Sequence, residues 1–69
     1  MSTQEETLYD IFAGELTKKP LWLIAISGLP NAVAVMNRLA VKQPGRYFVL
    51  DEHGRVVAQV DRPEARLSA

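Results

Sequence analysis

Between Lys19 and Arg38 the chain carries no charge for eighteen residues, Pro20 to Asn37, and Ser27-Gly28-Leu29-Pro30-Asn31 stands at the middle of that stretch. An unbroken apolar run of this length reaches the minimum for a membrane-spanning helix. Here two Pro, one Gly and two Asn interrupt it. Turn and helix-start residues at its centre cut it into two shorter elements instead. The first, Leu21-Trp22-Leu23-Ile24-Ala25-Ile26, is rich in aromatic and β-branched residues and reads as a strand buried on both faces. The second is a helix. Pro30 suits its first turn, where a missing N–H costs nothing, and Ser27 is placed to cap its N–H groups. Ala32, Val35, Met36, Leu39 and Gln43 then follow at helical spacing until Pro44-Gly45 stops it. Val33, Val35 and Val41 are poor helix formers, but length and the flanking stop signals favour helix over strand.

Downstream, Arg46 to Leu50 and Arg55 to Val60 flank Asp51-Glu52-His53-Gly54, the pattern of a β-hairpin. Gly54 supplies the positive-φ position of its loop. Upstream, Leu8 to Glu15 reads in two ways. A capping box from Ser2 with Glu5, or Thr3 with Glu6, would start a helix with Leu8, Ile11 and Phe12 on one face. Tyr9, Ile11 and Ala13 also alternate as in a strand, with Leu16 to Pro20 as its turn into the Trp22 strand.

Sixty-nine residues allow one small domain. An apolar content of 48 % is too high for a disordered chain. With no cysteine and one histidine, neither a disulfide, a thiolate zinc site nor a cluster of nitrogen ligands can be built. Small domains bury little of their surface and usually lean on disulfides, a metal or a partner subunit. Oligomerisation is the support that remains. The first six residues show no positive start and no apolar run, so no secretory signal is read there and a soluble, cytoplasmic chain is expected.

The formal net charge is zero, yet it is spread unevenly. Residues 1–15 hold four acids and no base, and residues 16–50 hold five bases and no acid. Such thinly spaced charges read as solvated surface rather than as a basic patch.

From Tyr9 to Val60 the chain resembles a family of small uncharacterised bacterial proteins. The residues that carry the likeness are Tyr9-Asp10-Ile11-Phe12, Pro20-Leu21-Trp22, Gly28-Leu29 and Pro44-Gly45-Arg46-Tyr47-Phe48-Val49-Leu50-Asp51. It covers about three-quarters of the chain. Asn31, Ala34, Asn37 and Val41 depart from the pattern, standing where such proteins carry acids and bases. The resemblance implies β-β-α-β-β, which makes Leu8 to Glu15 a strand, and it brings no activity. The expected fold is therefore one α+β domain over residues 8–60. A four-stranded antiparallel sheet, in an order such as 2-1-3-4, carries one helix on one face. Residues 1–7 and 61–69 are expected to be frayed ends.

Little in this chain suggests catalysis. His53 is the one side chain that titrates near neutrality, and a base oriented by Asp51 is conceivable there. No nucleophile lies near it, and a turn histidine points into water. Ser2 and Ser68 are terminal, and Gly28 and Gly45 match no phosphate-loop fingerprint. Asp51, Glu52, Asp61 and Glu64 lack calcium-loop spacing. No enzyme activity, metal, cofactor or small-molecule substrate is expected. One helix covers only one sheet face, while strands two to four are apolar on both. The expected function is a non-enzymatic interaction protein, most simply a homodimer, with Trp22, Ile24, Tyr47 and Val49 at the interface. The alternative is a module for single-stranded nucleic acid, using Lys42, Arg46, Tyr47 and Arg55 for phosphate and stacking contacts. A sequence pI near 6.5 counts against it.

Overall fold

The structure, a computed structural model, describes residues 7–62. Residues 1–6 and 63–69, most of the expected frayed ends, lie outside the described residues. The elements run β1 (Leu8–Ala13), β2 (Leu21–Ser27), α1 (Leu29–Lys42), β3 (Gly45–Leu50) and β4 (Val56–Arg62). They form one antiparallel sheet in the order β2-β1-β3-β4. The α+β class, the element order and the suggested strand order are those read from the sequence.

β1 is a strand because its alternation serves two neighbours at once. Its Ile11 sits opposite Ile24 of β2 and Val49 of β3. Tyr9, Ile11 and Ala13 face the helix, with Ile11 fully buried. α1 lays Ala32, Met36 and Ala40 against Ile11, Tyr47 and Val49, and Leu23, Ile26, Leu39, Ala58 and Val60 close the edges of this core. The small Ala32 and Ala40 let the helix approach closely. At its far end the Tyr47 hydroxyl donates to the Gln43 carbonyl, so the one polar tip in the core is paired.

Two expectations change in detail. Gly28, not Ser27, takes the N-cap position, at φ 86°. An added Cβ there would stand 3.2 Å from the Asn31 amide nitrogen, in a backbone conformation that L-residues avoid. Asn31 instead ties the turn by donating to the Ser27 carbonyl. β4 also runs through Asp61 and Arg62, two residues past the expected domain end. The Arg46–Asp61 pairing extends the ladder there.

The hairpin forms as expected. Gly54 adopts φ 78°, and Asp51 organises the loop by accepting from the backbone N–H groups of Arg55 and His53. The Arg55 N–H holds the Asp51 carboxyl below its ordinary value of 3.8, helped by the His53 N–H and the charges of Arg55 and His53. A carboxylate depressed in the folded state stabilises the fold above its unfolded value and loses that contribution as pH falls through the lower folded value. Melting temperature should therefore drop on acidification below about pH 4. Asp51→Asn should show a shallower drop, and thermal melts across that range check it.

Candidate functional site: the helix-free face of the sheet

The two bulges decide what this face displays. Between β1 and β2 the register shifts so that Leu23 is the extra residue and Phe12 stands opposite Trp22. Between β3 and β4 Val57 is the extra residue and Leu50 stands opposite Val56. An antiparallel pair shares a face. With Tyr9, Ile11 and Ala13 under the helix, Asp10 and Phe12 point away from it, and so do their partners.

The outcome is a row across the sheet. Trp22, Phe12, Phe48 and Gln59 are successive cross-strand partners on β2, β1, β3 and β4. The Phe12 and Phe48 rings stack with centroids 5.1 Å apart and planes within 5°. Phe48 is only 4 % exposed, whereas Trp22 at the edge is 53 % exposed. Its indole N–H donates to Asp10 Oδ1 at 3.2 Å, which fixes the ring on this face. Leu8 and Val56 extend the apolar surface, and both are exposed.

Beside Phe48 lies an open groove of about 520 Å³, with Glu15, Leu16 and Thr17 of the β1–β2 loop on one wall and Gln59 and Asp61 on the other. Arg46 spans it. Its guanidinium bonds Glu15 and lies 3.2 Å from Asp61, tying loop, β3 and β4 together. Two carboxylates thus balance this cation.

The sequence candidates do not share one surface. Trp22 and Ile24 are exposed on β2, while Tyr47 and Val49, at 7 % and 0 % exposure, lie under the helix. The expected interface set is corrected accordingly: Tyr47 and Val49 belong to the core, because β3 is apolar at every position from Tyr47 to Leu50 and offers the helix two equivalent faces. The nucleic-acid set is also dispersed. Lys42 ends the helix, Arg46 is held by its two carboxylates, Tyr47 is buried, and Arg55 pairs with Asp51 at the opposite end of the sheet. His53 is exposed, 3.5 Å from the Glu52 carboxylate. Phe12 and Phe48 were missed as members of the helix-free face. Their partnership with Trp22 becomes visible only once the register is known.

Among the described residues no helix is long and apolar enough to cross a membrane. No family model, no curated protein and no solved structure matches the chain.

Proposed function

We propose that this chain is a small non-enzymatic interaction protein that works as a homodimer, joined through apolar surface that its helix leaves uncovered. One observation carries the reading: Leu8, Trp22 and Val56 are each at least 40 % exposed on the helix-free face, while Leu21 and Ile24, paired with Ala13 and Ile11, are exposed at the β2 edge. Exposed apolar surface gathered in one region marks association. A standard interface removes about 800 Å² per subunit from water. If half of that is apolar, the gross gain is on the order of 10 kcal/mol per subunit before association costs. This is comparable to the stability of a small domain, so folding and dimerisation are coupled.

Stacking on nucleic acid is the weaker reading. Phe12 and Phe48 stack on each other, Asp10 holds the Trp22 indole, and Glu15 and Asp61 line the groove beside Phe48 and occupy its one arginine. Light scattering should give twice the monomer mass of 7.7 kDa, with a melting temperature that rises with concentration. The dimer should be nearly insensitive to salt, while a phosphate-bound complex would weaken steeply as salt increases. A monomeric mass at high micromolar concentration, with a concentration-independent melt, removes the proposal.

A further inference from the structure

We infer that one end of the fold is a contact surface for an anionic lipid bilayer, where unpaired cations and exposed aliphatic side chains stand together. Ala13 of β1 is paired both with Leu21, where β2 begins, and with Tyr47 near the start of β3. The Gly14 N–H donates to the Arg46 carbonyl at 2.7 Å, so the β1–β2 loop starts at the same place. The Tyr47 hydroxyl donates to the Gln43 carbonyl, which brings the end of α1 there, and Arg62 closes β4 opposite Gly45. On this end Leu21, Val41 and Leu16 are 64 %, 61 % and 52 % exposed. They come from a strand, the helix and a loop, and only the fold gathers them. The surface does not depend on the homodimer.

Charge selects the occupant. Lys18, Lys19, Lys42, Arg46 and Arg62 lie at this end, against Glu15 and Asp61. Arg46 engages both acids, and Lys18 stands 3.9 Å from Glu15. Lys19, Lys42 and Arg62 are left with no ion pair among the described residues. An anionic bilayer suits such a mixture. The charged heads reach lipid phosphate, while their stems and the aliphatic side chains enter the boundary with the acyl chains. A second copy docked on the same end would set cations against cations. Single-stranded nucleic acid needs ring faces to stack on. Here Tyr47 is buried and the Trp22 indole is tied to Asp10.

Co-sedimentation with extruded vesicles at low ionic strength tests the assignment. The natural chain should prefer vesicles of phosphatidylglycerol mixed equally with phosphatidylcholine over pure phosphatidylcholine. At about fivefold per free cation, the preference should be on the order of a hundredfold. Lys19→Gln combined with Lys42→Gln should weaken binding to the anionic vesicles about 25-fold. Leu16→Ser leaves the charge unchanged and should weaken it about tenfold, through lost apolar contact. All three positions are exposed, so each variant should keep the circular dichroism spectrum of the natural chain. Equal binding to both vesicle types, or Leu16→Ser binding like the natural chain, overturns the bilayer contact. So does a single-stranded oligonucleotide that binds more tightly per phosphate than the anionic vesicles. Should a variant fail to fold, the comparison of vesicle types with the natural chain decides alone.

Discussion

Ile11→Ala should leave little folded protein at room temperature. Ile11 is fully buried at the one point where β1, β2, β3 and the helix meet. Truncating such a side chain costs the transfer energy of the lost atoms plus that of the cavity, about 2–5 kcal/mol. Ala32 and Ala40 opposite have no longer side chains with which to fill the gap. Stability of roughly 5 kcal/mol, the lower end for natural domains, is a fair expectation at this size, so the loss takes most of it. Urea titration should show the midpoint falling to near zero, whereas Ile11→Val should keep a clear transition, at a cost of about 1 kcal/mol. An Ile11→Ala midpoint close to that of the natural chain would contradict the core described above.

Trp22→Lys should separate association from folding. Trp22 is 53 % exposed, so replacing it removes little from the interior of one subunit. Lysine is also tolerated on an edge strand and can face Asp10 in place of the indole N–H. A tryptophan at the centre of an interface is worth 2 kcal/mol or more, so the dissociation constant should rise on the order of a hundredfold. Sedimentation across a dilution series measures this. The same series gives a second signal in the natural chain, since Trp22 is its one tryptophan. Its emission should move to longer wavelength as the dimer dissociates. A variant with unchanged dissociation would place the interface away from Trp22.

The fold was legible where local chemistry left one solution. Pro30, the Pro44-Gly45 stop and the Gly54 loop each allow few backbone paths, and the helix and hairpin lie where those residues put them. The first segment was different. Leu8, Ile11 and Phe12 suit a helix as well as Tyr9, Ile11 and Ala13 suit a strand, and Ile11 belongs to both patterns. What decides between them is the open flank that β2 and β3 leave for a strand, a long-range fact absent from the segment itself. The surface was harder still. Strands apolar on both faces give no hint of which face the helix takes, so Tyr47 and Val49, expected at an interface, lie in the core instead. A one-residue bulge at Leu23 then sets which β2 side chain meets Phe12. Alternation read along a strand carries no warning of such an insertion.

The position of β1 sets an order of events during synthesis. This strand emerges before both of its neighbours, and the second of them contains Val49, which follows Ile11 by 38 residues. At 5–20 residues per second a ribosome needs about 2–8 s to supply that distance. Throughout the interval the β1–β2 hairpin presents a bare inner flank, and Ile11 has only half of its eventual surroundings. Completion of the β1 surroundings therefore waits for β3. A nascent molecule stalled before Gly45 would expose that flank to any passing strand, its siblings on the same message included.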